Sequence, residues 1–488
     1  MNAAFDRKLA SVVAGRVARQ ILARGWPVGK KLGVEPKLLK RFGVSREPFR
    51  EAVRILEWQG IVRAERGARG GLIVQAPVLD SVAGIIKTYL ELADVSYDEV
   101  RETHTLLLTY GLEMAVARMT PAHANGIHKL LRARRSGFRS RDQEGLAISL
   151  IYNAIIDAAN NPGLTMLEFM FARLTADFGH QERYPAREWS RMISRVWSIA
   201  QRLGVCAAAR DFAGAMKALQ EERQFVDDTV KRLERYNHRV WNTRIFLGGD
   251  YKSATRAPGR TGKAATRLLY RMTATMRRSQ MLPGTVLGTE AQLLRKFAVS
   301  RAVFREALRS LEFFGVATVK RGGGGGVAVS VPNPTATIDT AVLYLKYLRP
   351  DDVELRAFQR RLESDAVRLG AARASYSELI SLVEAIRLAI RSSGEESARL
   401  LSQARRQLIG LAENQALEFV VMMLSAALSE KRANSFNRLS ARRKQIIRQA
   451  CVAVESAAAG QSSDHLGNAL HRLYVALGSS DREMPTAG

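Results

Sequence analysis

The first 22 residues carry a hydrophobic stripe with the spacing of an amphipathic helix. The stripe consists of Leu9, Val12, Val13, Val17, Ile21 and Leu22. Pro27 and Gly29 then interrupt the pattern, because proline and glycine are poorly compatible with a helix interior. The pattern therefore predicts a supporting helix that ends before Pro27.

Two shorter helices are predicted next. The first covers residues 35–42, and Ser45 is placed to cap the N-terminus of the other. Pro48 falls in the first turn of that helix, where a missing N–H costs no intrahelical hydrogen bond. The inward stripe of this third helix consists of Phe49, Val53 and Leu56. Its opposite face is polar and is predicted to be a recognition surface.

The residues after Gly60 predict a β-hairpin. Two short apolar segments, I-V-R-A-E and G-L-I-V, flank a basic turn rich in glycine, which is the composition of a hairpin. Glycine lets a backbone approach DNA closely, and arginine contacts phosphate or the minor groove. The hairpin is therefore predicted to be the wing of a helix-turn-helix.

The same arrangement occurs again later in the chain. Residues 287–315 repeat the pattern of residues 32–60, so that Ser300 corresponds to Ser45 at an offset of 255 residues. A second hairpin, V-A-T-V-K-R-G-G-G-G-G-V-A-V-S-V, follows. Its glycine run lacks a following G-K-[ST] and a strand-to-helix context, which argues against a nucleotide-binding loop. Two DNA readers on one chain predict a fused pair, because helix-turn-helix proteins act as twofold dimers on paired half-sites.

Positive charge is concentrated on these two modules. Residues 1–77 hold 16 Lys and Arg against 6 Asp and Glu, and residues 256–331 hold 14 against 3. Their net charges of +10 and +11 make up +21 of the chain's +28. A charge run alone is commonly a solubilising surface, but charge that coincides with a repeated motif favours a polyanionic partner.

The tips of the two third helices differ. Arg46 and Arg301 are equivalent, and each suits either a bidentate contact to guanine or a phosphate contact. The next residue is Glu47 in one copy and Ala302 in the other. A carboxylate accepts from cytosine N4, whereas alanine offers only apolar contact, which leads to the hypothesis of two unlike half-sites. Alternatively, Glu47 only complements the positive helix terminus or pairs with Arg50.

These residues resemble the GntR family of bacterial transcription regulators. V-S-R-E-P-F-R-E-A-V-R-I-L-E and V-S-R-A-V-F-R-E-A-L-R-S-L-E, each with its glycine wing, are similar to that family's winged helix-turn-helix. One departure is that Pro36 and Ala291 replace the family's usual phosphate-contacting arginine. The resemblance implies that neighbouring basic residues substitute for it, namely Lys37, Lys40, Arg41, Arg295 and Lys296.

The 150 or so residues after each module have helical periodicity and resemble the effector domain of the FadR subfamily. The resemblance rests on E-L-A-D-V-S-Y-D-E-V-R-E-T-H-T-L-L-L, on L-R-A-F-Q-R-R-L-E from Leu355, and on the turns A-A-N-N-P-G-L and A-E-N-Q-A-L. Such domains often hold a divalent metal through Asp and His. The corresponding positions here are Ile148 and Tyr152 (or Ser149 and Asn153), then Ala200 and Glu222, and in the second half Leu401 and Arg405.

Because a metal needs several correctly presented ligands, no metal site and no cofactor are expected. Arg405 suits either an anionic ligand or a salt bridge. Cys206 and Cys451 are expected to be buried thiols, since no C-x-x-C or clustered His/Cys spacing accompanies them. No paired carboxylates or nucleophile with a base stand out, so the chain is not expected to be an enzyme.

The predicted fold class is mainly α, with two winged helix-turn-helix domains (three helices plus a β-hairpin wing), each followed by an all-α FadR-like bundle. The predicted bounds are 1–77 and 263–331 for the DNA-binding domains, 80–238 and 335–480 for the effector domains, and 239–262 for a linker rich in Gly, Pro and basic residues. The residues predicted to contact DNA are Lys37, Lys40, Arg41, Ser45, Arg46, Glu47, Arg50, Arg54, Arg66, Gly67, Arg69, Gly70, Arg295, Lys296, Ser300, Arg301, Arg305, Arg309, Lys320, Arg321, Gly322 and Gly324.

Double-stranded DNA is thus the expected partner, and a small-molecule effector of unknown identity is the second. The leading interpretation is a sequence-specific regulator, a repressor because blocking a promoter needs only occupancy, that acts as an intramolecular pseudo-dimer. A further homodimer stays open. The alternative is a non-specific architectural DNA-binding protein. No apolar run spans a membrane and no secretory signal begins the chain, so a cytoplasmic protein is expected.

Overall fold

The computed structural model describes residues 3–65, 70–133, 141–176, 186–236, 263–320, 325–429, 440–460 and 463–478. Within these residues the chain has twenty helices and two three-stranded antiparallel sheets. The mainly α fold class, with two winged helix-turn-helix domains, is confirmed. The predicted linker, 239–262, lies outside the described residues.

Each half of the chain begins with the same run of elements. The first half consists of α1 (Ala3–Ala23), β1 (Lys31–Gly33), α2 (Glu35–Phe42), α3 (Arg46–Trp58), β2 (Val62–Glu65), β3 (Gly71–Val74), α4 (Leu79–Leu92), α5 (Tyr97–Arg118), α6 (Pro121–Ala133), α7 (Arg141–Asp157), α8 (Pro162–Ala176), α9 (Ala186–Ala208) and α10 (Phe212–Tyr236). The second consists of α11 (Lys263–Arg278), β4 (Val286–Gly288), α12 (Glu290–Phe297), α13 (Arg301–Phe313), β5 (Ala317–Lys320), β6 (Gly326–Val329), α14 (Thr335–Leu348), α15 (Asp352–Ala371), α16 (Tyr376–Arg391), α17 (Gly394–Gly410), α18 (Gln415–Ser429), α19 (Ala441–Ala459) and α20 (Ser463–Gly478).

The first module, residues 3–74, folds around the predicted stripes. Val13, Val17 and Ile21 of α1 are buried against α3 and the sheet. The placing of Val12 in the inward stripe is wrong, because its side chain is 43% exposed. Two adjacent positions on a helix are 100° apart, so Val12 and Val13 cannot both point to the centre of one face.

The wing is a three-stranded sheet rather than the predicted two-stranded hairpin. Strand β1, which the sequence analysis missed, pairs with β3, giving the order β1-β3-β2, and the second module repeats this as β4-β6-β5. Gly71 is required where β1 and β3 meet, because a Cβ there would lie 2.6 Å from the Gly33 carbonyl oxygen. The sheet therefore ties the wing to the segment between the first two helices.

The turn between the second and third helices differs between the copies. Gly43 and Ala298 end α2 and α12 in the left-handed conformation, with φ of 63° and 52°. A left-handed residue with a Cβ is strained, whereas glycine is not. We expect Ala298→Gly to stabilise the second module by about 1 kcal/mol and Gly43→Ala to destabilise the first by about as much.

Hydrogen exchange of peptides from α12 and α13 measures this locally. Slower exchange in Ala298→Gly, with unchanged exchange in α2 and α3, is the expected result. No neighbouring atom lies within 4 Å of a Cβ built at Gly43, so its substitution tests the backbone conformation alone. Faster exchange in Ala298→Gly would contradict the assignment of strain.

The chain divides into two compact units, of which the first comprises residues 1–97 and 111–350. In this unit each DNA-binding module packs on a helix of the opposite half. Leu343 and Tyr347 of α14 lie against the core of the first module, and the rings of Trp26 and Tyr347 are 5.2 Å apart in an edge-on arrangement. Helix α11 of the second module reaches the C-terminal end of α4, where Arg277 donates to the Glu91 carbonyl at 2.8 Å.

The second unit comprises residues 98–110 and 351–488. Its helices α16, α17, α19 and α20 share one core. Residues 98–110 of α5 are bound in this unit by a buried asparagine, Asn414: its Oδ1 accepts from the Thr103 hydroxyl at 3.1 Å, and its Nδ2 donates to Glu102 at 2.9 Å. Arg373 also pairs with Glu102, at 2.6 Å. A segment of the first half is thus built into the unit that contains the second effector helices.

The two cysteines differ in burial. Cys451 is buried, as predicted, and burial raises the pKa of its thiol to about 11. Cys206 is only half-buried, so the expectation of two buried thiols is wrong for this residue. No helix in the described part of the chain combines the length and hydrophobicity that a membrane span requires.

Candidate nucleic-acid interface

The third helix of each module presents the same basic face. In α3, Phe49 and Leu56 point into the core, so Arg46, Arg50 and Arg54 are left exposed. In α13, Phe304 and Leu311 are buried, and the equivalent exposed residues are Arg301, Arg305 and Arg309. Three guanidinium groups one turn apart form a ridge of positive charge along each helix.

Both third helices begin at the predicted serine. Ser45 and Ser300 occupy the N-cap with extended backbone. Ser300 Oγ accepts from the Val303 amide at 3.3 Å; of these two described caps, only that of the second module makes this side-chain hydrogen bond. The tip of α13 is therefore fastened by a bond that the tip of α3 lacks, while Glu47 and Ala302 are both exposed beside it.

The middle arginine of each ridge is paired with the second helix. Arg50 Nε lies 3.0 Å from a Glu35 carboxylate oxygen, and Arg305 Nε lies 3.6 Å from the equivalent oxygen of Glu290. Arg50 thus pairs with Glu35 rather than with Glu47. Neither glutamate was predicted from the sequence, although V-E-P and T-E-A repeat at the same offset of 255 residues. Each pair joins the two helices that form the candidate DNA surface.

These pairs lead to a prediction about affinity. The arginines are 62% exposed, so each ion pair is weak, while the carboxylate adds negative charge where a phosphate would approach. We expect the double variant Glu35→Gln, Glu290→Gln to bind duplex DNA about threefold to tenfold more tightly at low salt, with little gain at high salt. Fluorescence anisotropy against a salt series measures this, with Glu395→Gln on α17 as a control of equal charge change per site.

Weaker DNA binding in the double variant at every salt concentration would instead assign the glutamates a positioning role. In that case the arginines need their carboxylate partners to face the DNA. The direction of the change separates the two roles: removing the carboxylate charge tightens binding at low salt, whereas losing a positioned arginine contact weakens binding.

The other predicted DNA-contacting residues lie on or beside the same surface. Lys37, Lys40 and Arg41 are exposed on α2, as Arg295 and Lys296 are on α12. Lys320 is at the end of β5, where its ammonium group donates to the Gly284 carbonyl at 2.8 Å. Gly70 is half-buried. The tips of both wings lie outside the described residues, and with them the predicted Arg66, Gly67, Arg69, Arg321, Gly322 and Gly324.

The described parts of the effector regions contain buried polar clusters. In the first, the Tyr152 hydroxyl donates to Glu222. Burial, and then the negative charge of Glu222, raise the pKa of this tyrosine well above its usual range. Burial and the charge of Glu168 likewise raise the pKa of Asp157. The cluster is therefore a closed tyrosine–carboxylate pair.

The second cluster is centred on Arg405. Its guanidinium pairs with Glu363, and its carbon Cζ lies 5.3 Å from the centre of the Tyr474 ring. The Tyr474 hydroxyl donates to the same glutamate at 2.6 Å. Burial lowers the pKa of Arg405, but the attraction of Glu363 and Tyr474 outweighs this and leaves it raised. Of the two roles considered for Arg405, the structure shows the salt bridge.

Neither cluster fits the divalent metal that the resemblance implies. The positions of the usual Asp and His hold Ile148, Tyr152, Leu401 and Arg405, and a guanidinium cannot donate a lone pair to a metal. Among the described residues no group of three or more His, Cys, Asp or Glu is arranged around a common point. The side chains described at these positions thus do not fit a metal site of that kind.

Comparisons with known proteins agree with the geometry of the modules. Residues 9–70 and 266–327 each match the family "Bacterial regulatory proteins, gntR family". The "Uxu operon regulator" of Haemophilus influenzae is 24% identical over 183 residues, which are 37% of this chain and 64% of that protein. This chain thus spans less than two thirds of that relative.

A second relative is covered more completely. The "Putative L-lactate dehydrogenase operon regulatory protein" of Escherichia coli is 27% identical over 242 residues, 47% of this chain and 89% of that protein. A solved structure, "Streptococcus agalactiae GntR", aligns with 45% of this chain and 99% of its own at 19% identity and a TM-score of 0.30. Two segments of the chain thus match the gntR family in tandem, and the two relatives are regulatory proteins.

Proposed function

We propose, on the premise of two gntR-type DNA-binding domains in one chain, that this protein is a sequence-specific transcription regulator that binds paired half-sites as an intramolecular pseudo-dimer. The observation that carries this proposal is the pair of matched arginine ridges on α3 and α13. Connecting the two readers raises the effective concentration of the second contact without any new interface. One chain then replaces the usual twofold dimer on an operator.

The two half-sites are proposed to differ in sequence. Glu47 at the tip of α3 suits a cytosine amino group, whereas Ala302 at the tip of α13 suits only an apolar edge such as a thymine methyl. The strand ends beside the wings differ as well, with Glu65 in the first module where the second has Lys320. A fused chain is free to diverge in this way because each module always meets the same partner.

The relatives support regulation of an operon, since both are described as operon regulators. We infer repression, because occupancy of a promoter is sufficient for it. The effector regions are of the FadR type in this proposal, with any small-molecule effector bound without a metal. Arg405 is already neutralised by Glu363, so that effector is not held by a free guanidinium at this position.

The test is selection of bound duplexes from a random pool by the full chain at about 0.15 M salt, where purely electrostatic binding is weakened. Two unlike half-sites at a fixed spacing support the proposal in full. Identical half-sites keep the regulator and remove the argument from Glu47. Recovery of no consensus would move the function to DNA architecture, which the net charge of +21 on the two modules also suits.

A further inference from the structure

The two surfaces on which the DNA-binding modules dock have different chemistry. The first module meets α14 through Trp26 and Tyr347, and through a buried hydrogen bond in which Gln59 Nε2 donates to Thr340 Oγ1 at 3.0 Å. Gln59 is 7% exposed and Thr340 is 2% exposed. This contact is mainly apolar and has one buried amide–hydroxyl bond; at its exposed edge Arg349 donates to the Gly25 carbonyl at 3.0 Å.

The second module meets α4 through charged groups. The Tyr270 hydroxyl donates to the Glu91 carboxylate, which is 3% exposed and also lies 4.0 Å from Lys87 of its own helix. Arg277 donates to the carbonyls of Glu91 and Leu92 at 2.8 and 3.0 Å and pairs with Asp94 at 3.3 Å. This contact joins the C-terminal end of α4 to α11 by hydrogen bonds and one ion pair.

Because equivalent residues of the two halves are 255 positions apart, the residues that would meet if a module docked on its own half can be read from the sequence. A first module placed on α4 would bring Leu22 to the position of Arg277, Gly15 to that of Tyr270, and the Gln59 amide against Ile85. The buried Glu91 carboxylate would then lose the Tyr270 hydroxyl, and the Gln59 amide would lose the Thr340 hydroxyl. Buried polar groups without partners are costly, above all when they are charged.

The converse pairing is equally unfavourable. A second module placed on α14 would bring Arg277 to Arg349 and Tyr270 to Lys346, and it would put Phe314 opposite the buried hydroxyl of Thr340. Like charges would then meet at the contact between Arg277 and Arg349, which opposes association. Each docking surface thus matches the module of the other half and conflicts with its own.

We propose that these surfaces are a selective interface whose partner is the opposite half of this chain. Each DNA-binding module is positioned by the effector region of the other half, and pairing of two like halves is rejected. The biological role of this interface rests on the proposed function, because only a protein that reads two half-sites needs two unlike modules held in fixed positions. The interface itself is independent of DNA.

A double-mutant cycle taken from the chain's own second copy tests this. In the other docking contact, Phe314 is equivalent to Gln59 and Ile85 is equivalent to Thr340, and each of these two side chains is 2% exposed. In the full chain without DNA, we expect Thr340→Ile alone to speed hydrogen exchange of α1 and α3 peptides at least tenfold, because it removes the partner of the buried Gln59 amide. Gln59→Phe alone should speed it less, because the Thr340 hydroxyl keeps its bond to the Ala336 carbonyl at 2.8 Å. The double variant should return to within about threefold of the parent.

Hydrogen exchange also shows whether each module docks on the opposite half of the chain or on its own half. Thr340→Ile should leave α11 and α13 peptides unchanged, whereas Arg277→Leu should speed exchange in α11 and leave α1 unchanged. Arg278→Leu, which removes an exposed arginine one residue away, is the matched control. The proposal is overturned if Thr340→Ile speeds hydrogen exchange of α11 peptides. It is also overturned if the double variant speeds exchange of α1 and α3 peptides by as much as the two single effects combined. Neither result depends on the outcome of duplex selection, so failure of the interface and failure of the DNA reader are distinguishable.

Discussion

Replacing both Arg46 and Arg301 by methionine is expected to weaken binding to the selected duplex about a thousandfold, at about 2 kcal/mol for each lost arginine contact. These residues occupy the exposed tips of α3 and α13, where a recognition helix first meets base edges. Each single variant should lose about thirtyfold and should relax sequence preference in one half-site only. Anisotropy titration against the selected duplex and its half-site mutants measures both effects.

Two arginines away from the recognition helices provide the control. Arg19→Met on α1 and Arg278→Met on α11 remove the same charge from exposed positions of the supporting helices. We expect them to alter affinity less than threefold. If the tip variants instead weaken binding to all duplexes equally and reduce the salt slope by about one each, Arg46 and Arg301 contact phosphates and do not read bases.

The second large effect concerns stability. Arg405→Met should destabilise the unit of residues 98–110 and 351–488 by about 3–5 kcal/mol, which is the usual cost of removing one partner of a buried ion pair. Glu363 is 2% exposed, and after the substitution only neutral donors such as the Tyr474 hydroxyl face its charge. Hydrogen exchange of α15 and α20 peptides should rise by more than a hundredfold, since these helices carry Glu363 and Tyr474.

Removing both charges tests the cause. The double variant Arg405→Met, Glu363→Met should recover most of the lost stability, because two apolar side chains need no hydrogen bonds in the core. Arg399→Met, on the same helix α17, loses only an exposed pair with Glu396 and should leave exchange unchanged. A double variant as unstable as the single one would show that packing of the arginine stem, and not its charge, holds the cluster together.

The local architecture of the DNA-binding modules was predictable because short-range signals determine it. The predicted bounds of α2, residues 35–42, are those of the structure, and both serine caps are placed correctly. Such signals act between residues a few positions apart. Strand β1 was missed because three residues with one buried side chain give no alternating pattern.

The candidate DNA surface was predictable in part. The exposed arginines of α3 and α13 follow from helical periodicity, but their pairing with Glu35 and Glu290 depends on the angle between two helices, which periodicity does not contain. The docking of each module on the opposite half was not predictable at all. Gln59 and Thr340 are 281 residues apart, and no single-sequence pattern connects positions at that distance.

That distance has a consequence for the order in which the chain is made. A ribosome adds about 5–20 residues per second, so Thr340 and Tyr347 are synthesised roughly 13–55 s after the first module has been completed. Throughout that interval the apolar surface around Trp26 has no α14 to cover it. During that interval this surface of the nascent chain is therefore open to solvent and to chaperones.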